Sequence, residues 1–217
     1  MTDPRLVEIW PPLGLRITSG PLELRGIGEA EVLALLEVAR GGIHAADAMP
    51  FYFPWTLAPA EDLPLNYVQW WAGQVATFSR DAWALDLAVL WEGEVVGCQG
   101  VRTQDFPTLR YGETGSWLGL AHQGRGIGTA MRQAWCAFLF DHLDFDFITS
   151  AAFTDNPASL RVSEKVGYTP DGLARLKRLD APAETQRLRL ERETFVRGPA
   201  IAVTGARGVR RLIGLDA

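Results

Sequence analysis

The six residues Gln123-Gly124-Arg125-Gly126-Ile127-Gly128 have the composition of an anion cradle. They lie between an alternating apolar segment and a stretch with helical spacing. At such a junction, unpaired main-chain N–H groups and the positive end of a helix dipole face outward. The glycines let the backbone approach a phosphate closely and adopt positive φ, and Arg125 could add a charge-assisted contact. The string alone does not choose between a plain turn at a helix start and a phosphate site.

Two familiar phosphate motifs can be tested against it. A P-loop ends in Gly-Lys-Ser/Thr, but the only lysines are Lys165 and Lys177, so triphosphate hydrolysis has no support. A dinucleotide fingerprint beginning at Gly124 and Gly126 requires a third glycine where Thr129 stands. Asp144 or Asp146 falls near the spacing of a ribose-binding acid, so a nicotinamide-dependent oxidoreductase stays as an alternative, although a β-hairpin ahead of the loop argues against that fold.

The elements that must position the loop follow from periodicity. Leu22 to Arg25 reads as extended, and Glu29 to Arg40 as an amphipathic helix with Val32, Leu35, Leu36 and Ala39 on one face, stopped by Gly41-Gly42. From Met49 to Trp71 the chain is dense in aromatics and broken by Pro50, Pro54, Pro59 and Pro64, which predicts a loop and then a helix from about Pro64. Leu85 to Trp91 and Val95 to Val101 alternate around a tight Glu92-Gly93 turn as a β-hairpin, and Tyr111 to Leu120 is a third strand. After the glycine loop come a helix at about Thr129 to Asp141, a buried strand at Phe145 to Phe153, a helix opened by Asn156-Pro157 and ended at Val166-Gly167, and a strand at Gln186 to Arg192.

Composition narrows the function classes. With 217 residues, 47% of them hydrophobic, the chain can bury a substantial core. No internal repeat or low-complexity linker divides it, so residues 1–217 are read as one domain with a less certain extension at about 196–217. That tail could extend a sheet, cover a neighbour or stay mobile. The net charge of -5 disfavours a nucleic-acid partner, apart from a local basic patch at Arg207, Arg210 and Arg211, and suits a cationic acceptor. Neither a signal sequence nor a membrane-spanning run is seen, which gives an expectation of a cytoplasmic protein without a membrane partner. Cys98 and Cys136 lack a CxxC spacing or a nearby His pair, so they are read as packing residues and no metal is expected. His44, His122 and His142 have no visible partner and are not assigned a role.

The longer segment Trp117 to Gly128, with Gln123-Gly124-Arg125-Gly126-Ile127-Gly128 at its end, resembles the Q/R-x-x-G-x-G/A region of the GNAT superfamily of acetyltransferases. Asn156-Pro157-Ala158-Ser159, followed by Glu164 to Tyr168, resembles the next helix and strand of that family. The likeness extends over about residues 15–195, is most specific from Trp83 to Tyr168, and is nearest to the ribosomal-protein N-terminal acetyltransferase-like branch. It implies an α/β (α+β) fold with a mixed, mostly antiparallel, splayed central sheet flanked by helices. It also implies an acetyl-CoA co-substrate in the opening of that sheet. Leu118 and Leu120 would then offer backbone groups to pantetheine. Main-chain amides from Gln123 through Gly124, Arg125, Gly126, Ile127 and Gly128 to Thr129 would receive the pyrophosphate, and Asn156 and Ser159 would lie near the pantetheine and sulfur.

Moving an acetyl group from a thioester to a primary amine needs a neutral nucleophile, a stabilised oxyanion and often a proton for the departing thiolate. Direct attack requires no acyl-enzyme, and a backbone N–H near Leu118 could hold the oxyanion. Glu113 is the nearest carboxylate and could act as base, directly or through water; strand alternation sets it opposite Thr114, Ser116 and Leu118, and a sheet-edge charge is the plainer reading. Ser159 is the expected sulfur partner, because the resemblance implies a hydroxyl in this first helical turn. Many members of the family use a tyrosine further along the helix, where Ser163 stands, so Ser163 or water is the alternative proton donor. Asn156 is at the same time a natural helix N-cap. The aromatic segment from Phe51 to Trp71 could wall an acceptor pocket, with core packing as its alternative role. The acceptor could be a peptide or protein N-terminus or a small-molecule amine, a non-catalytic CoA-binding module is the alternative to an enzyme, and a homodimer is retained among the expected partners.

Overall fold

The computed structural model describes residues 3–216. Its elements in chain order are α1 (Pro4–Ile9), β1 (Arg16–Ser19), β2 (Leu22–Gly26), α2 (Glu29–Arg40), α3 (Leu63–Ala76), β3 (Ala84–Trp91), β4 (Glu94–Arg102), α4 (Phe106–Leu109) and β5 (Tyr111–Leu118). They continue with α5 (Ile127–His142), β6 (Phe147–Phe153), α6 (Pro157–Val166), β7 (Thr169–Arg178), β8 (Ala181–Glu191), β9 (Ala202–Thr204) and α7 (Ala206–Leu212). The strands form one sheet in the order β7-β8-β6-β5-β4-β3-β2-β1-β9. Every neighbouring pair is antiparallel except β5 and β6, which run parallel because α5 crosses between them. This is the mixed, mostly antiparallel sheet flanked by helices that the resemblance implied.

Local chemistry sets the main boundaries. Glu92 and Gly93 have φ of 53° and 86°, the left-handed pair that a two-residue hairpin turn between β3 and β4 demands. Helix α6 starts on the Asn156 cap with Pro157 in its first turn and ends on Gly167 at φ 100°. The strand expected to reach Leu120 stops at Leu118, since Leu120–His122 turn into a short 3-10 helix.

The sheet separates two apolar layers. On one face, α5 buries Ile127, Met131, Trp135 and Phe138 against Leu87, Val89, Val101 and Ile148. On the other, α2 and α3 set Val32, Leu35, Leu36 and Tyr67 against Ala88, Leu90 and Cys98. Both cysteines are buried, as their isolation in the sequence suggested. Of the three fates open to the tail, sheet extension is the one observed. Strand β9 pairs antiparallel with β1, and α7 buries Val209 and Ile213 in the larger core. Within the basic run, Arg210 is neutralised by Asp144 and Asp216. Among the described residues, no helix is long and apolar enough to cross a membrane.

Candidate active site

The parallel β5–β6 ladder runs from Tyr111–Phe147 to Thr114–Ser150 and stops there, while β5 stays paired with β4 as far as Leu118–Gly97. The two central strands therefore splay from Gly115 onward. The amide of Gly119 donates to the Val96 carbonyl, which makes Gly97–Leu118 a wide pair of the antiparallel ladder. Counting back by twos, the main-chain groups of Leu118 and Ser116 point away from β4 into the opening, with no strand partner there. Sequence reasoning named Leu118 and missed Ser116, whose contribution is main chain and leaves no side-chain signal.

The glycine loop lies at the wide end of this opening. Gly124 and Gly126 have φ of 73° and 83°, and no atom lies within 4 Å of where their Cβ would be. Gly126 is the N-cap of α5, and Ile127, fully buried, anchors the first turn in the core. The expected run of free amides is narrower than Gln123 to Thr129. The Gln123 amide donates to the Leu120 carbonyl and the Thr129 amide to the Gly126 carbonyl, which leaves Gly124, Arg125, Gly126, Ile127 and Gly128 to meet an anion. Arg125 is exposed and forms no ion pair among the described residues. Gly128 faces α6, where an added Cβ would come within 3.5 Å of Val162 and 3.8 Å of Leu118, so its lack of a side chain keeps the groove between α5 and α6 open. The main-chain groups of Leu120 are already engaged, its N–H with the Gly42 carbonyl and its C=O with the Gln123 amide.

On the opposite face of the sheet, β5 presents Glu113, Gly115 and Trp117. The β4–β5 register is regular, so strand alternation holds as expected. Trp117 packs on Trp55 with ring centroids 5.7 Å apart, and Trp55 contacts both Phe51 and Tyr67. The aromatic segment thus shares Glu113's face. Solvent reaches the Glu113 side chain, yet partial burial raises its carboxyl above its usual value, and the Arg102 guanidinium, paired across the ladder, offsets part of that rise. Gly100 and Gly115 are paired neighbours without side chains; the Asp86 carboxyl lies over Gly100, and the space above Gly115 is empty to at least 4 Å. On this face Gly115 lies open between Glu113 and Trp117 at the level where the strands part.

Helix α6 completes the wall on the α5 side. Asn156 Oδ1 accepts the Ser159 amide at 3.2 Å, so Asn156 is the N-cap. Ser159 is half-buried in the first turn. Ser163, one turn on, is 1% exposed and its Oγ has no partner. The sequence offered Ser163 as an alternative proton donor to Ser159; its orphaned hydroxyl becomes visible once α6 is packed on α5.

A central sheet opened between two parallel strands, with a glycine loop and helix N-terminus at its mouth, defines an acyl-CoA-binding architecture. Residues 22–169 match the family model described as an acetyltransferase (GNAT) domain, and the chain belongs to that family. Among curated proteins it is similar to the proposed ribosomal N-acetyltransferase YdaF of Bacillus subtilis (strain 168), with 27% identity over 91 residues that cover 42% of this chain and 49% of that protein. Two solved structures share the fold. Mycobacterium smegmatis RimJ in complex with a CoA disulfide matches with TM-score 0.70 and 18% identity, covering 91% of this chain and 92% of that one. The ribosomal L7/L12 alpha-N-protein acetyltransferase RimL in complex with coenzyme A matches with TM-score 0.67 and 20% identity, covering 80% of this chain and 95% of that one.

Proposed function

We propose that the chain is an N-acetyltransferase that carries the acetyl group of acetyl-CoA to a primary amine by direct attack. The observation that carries this reading is the opening at Ser116 and Leu118, whose main-chain amides face away from β4 with no strand partner, continuous with the glycine loop at the start of α5. Acetyl-CoA fits these residues. Pyrophosphate would meet the amides of Gly124 to Gly128 and the Arg125 side chain, and pantetheine would follow Leu118 between α5 and α6. Leu120 would reach it only through the second lone pair of its carbonyl. The thioester carbonyl would then sit against the Ser116 and Leu118 amides, which are fixed in advance as an oxyanion site.

The acceptor would enter from the other face of the sheet, over Gly115. Glu113 accepts the ammonium proton, directly or through a water; its raised carboxyl is better matched to that task than an ordinary surface glutamate. Trp117, Trp55 and the loop from Phe51 form an apolar wall for the group that carries the amine. Ser159 supplies a hydroxyl to the sulfur. Relatives whose names specify ribosomal proteins or, for the spermidine/spermine N-acetyltransferase SpeG from Vibrio cholerae, polyamines make a protein N-terminus and a small polyamine the two acceptor classes to compare.

Calorimetric titration with acetyl-CoA, CoA and NAD, followed by thiol release across an amine panel, tests the reading. Binding of the CoA species with amine-dependent thiol release is expected. Binding without release by any amine would make the chain a regulatory CoA binder, and preference for NAD would overturn the assignment.

A further inference from the structure

Arg132 is the second-turn residue of α5 that points at the sheet, and only 4% of it is exposed. Its guanidinium donates to Gln99 Oε1 at 3.3 Å on β4, to Ser116 Oγ at 2.9 Å on β5 and to Ser150 Oγ at 3.4 Å on β6. Ser150 belongs to the last ladder pair and Ser116 to the first open turn of β5. The guanidinium therefore bridges the two strands where their backbone pairing ends. It is the wedge at the vertex of the splay.

All three acceptors are neutral. Among the described residues Arg132 forms no ion pair. The titratable groups that face it from the same side are Cys136 of α5 and Tyr168 after α6. Burial pushes the Cys136 thiol up to about 11 and the Tyr168 phenol up as well, so both are neutral at physiological pH. Glu113 and Arg102 lie on the other face of the sheet. A buried charge without a counter-ion is expensive, and it strongly favours any anion that reaches it. Three of the five guanidinium N–H groups are used by the protein, which leaves two free to donate.

We propose that Arg132 supplies the fixed positive charge that stabilises the CoA thiolate as it leaves the thioester. The inference rests on the acetyl-transfer reading and adds to it a residue for the leaving group. In the step concerned, the ammonium has first lost one proton through Glu113 to solvent; the neutral amine nitrogen has then bonded to the carbonyl carbon and given its second proton to the regenerated Glu113 carboxylate. Collapse of the oxyanion re-forms C=O and breaks the C–S bond, whose electron pair stays on sulfur. Arg132 transfers no proton. It lets the sulfur depart as the anion.

The test is the titration of CoA bound to the wild-type protein, followed by the ultraviolet absorbance of its thiolate. The bound thiol is expected to ionise at least about one pH unit below the ordinary thiol value near 8.5. In Arg132→Gln it should return to the free value, with kcat lowered about 10²-fold and KM for acetyl-CoA changed by less than about threefold. Arg132→Lys, which keeps the charge without the fork, should recover about tenfold of the lost kcat. An unshifted thiol in the wild-type complex overturns the proposal even if no variant folds. Equal losses of kcat in the Lys and Gln variants, or a loss confined to KM, would reduce Arg132 to a strand clamp and overturn it too. Failure of CoA to bind would sink the acetyl-transfer reading with it, whereas tight binding with a normal thiol sinks this inference alone.

Discussion

The side-chain amide of Gln123 donates to the Leu118 carbonyl at 2.8 Å and to the Ile43 carbonyl at 2.7 Å, tying the start of the glycine loop to the end of β5 and to the segment after α2. One residue thus fixes the spacing between the open strand edge and the glycine loop. The sequence suggested Gln123 as a main-chain contact to pyrophosphate, but its amide is already bonded and its side chain is the part that matters. Gln123→Ala should raise the dissociation constant for acetyl-CoA about tenfold by leaving the loop less ordered, and should cost about 1 kcal/mol of stability for the lost hydrogen bonds. Calorimetry and thermal melts check both. Unchanged affinity would mean that the loop holds its shape without the tie.

The raised carboxyl of Glu113 gives a pH prediction of definite sign. As the base it must be ionised, so kcat/KM should fall on the acid side, with the apparent pKa of that limb above the ordinary glutamate value of 4.5. Glu113→Gln should lose the limb and about 10²-fold in rate. For stability, the folded protein holds the Glu113 proton at a pH where the unfolded chain has lost it. This group's contribution to stability therefore decreases as pH rises from the unfolded to the folded pKa. The Gln variant should accordingly melt no lower than wild type at neutral pH, and its relative advantage should shrink below the titration window. A melting temperature well below wild type at pH 7 would point instead to a structural role for the carboxylate.

In the proposed arrangement Gly115 lies between the acceptor and the cofactor. Because its Cβ position is open to at least 4 Å and its φ is not positive, a side chain there meets no backbone penalty and occupies the open space instead. Gly115→Leu should raise KM for the amine at least about tenfold while leaving the acetyl-CoA dissociation constant within about twofold, since the leucine projects from the face opposite α5. Acceptor kinetics at saturating acetyl-CoA read this directly. Weakening of both ligands alike would place the amine on the cofactor side of the sheet.

Periodicity and capping chemistry made α2, the β3–β4 hairpin, α5 and α6 legible, because each carries its own signal. Examples are the apolar stripe of Val32, Leu35 and Leu36, the Glu92-Gly93 turn, and the Asn156 and Gly167 caps. Strand β7 carried none: it is exposed or half-exposed along its length, contains Pro170 and Gly172, and is held by pairing with β8. The three-residue β9 likewise exists through its partner β1. The glycine loop could be read from residue types alone. Ser116, Gly115 and Arg132 could not, since what matters about them is where the β5–β6 ladder ends, a relation between segments about 35 residues apart in sequence.

The two serines of α6 differ in a way that makes their exchange informative. Ser159 is half-buried in the first turn with its amide held by Asn156, and the proposed mechanism directs its hydroxyl to the departing sulfur. Ser163 buries an unpartnered hydroxyl, which costs stability that alanine would return. Ser163→Ala should therefore melt at or above the wild-type temperature and keep kcat within about twofold. Ser159→Ala should lower kcat about tenfold with little change in melting temperature, in keeping with loss of one hydrogen bond to the departing sulfur. The opposite pattern, a slow Ser163→Ala and a normal Ser159→Ala, would move the sulfur contact one turn along the helix and mean that the orphaned hydroxyl is the one waiting for it.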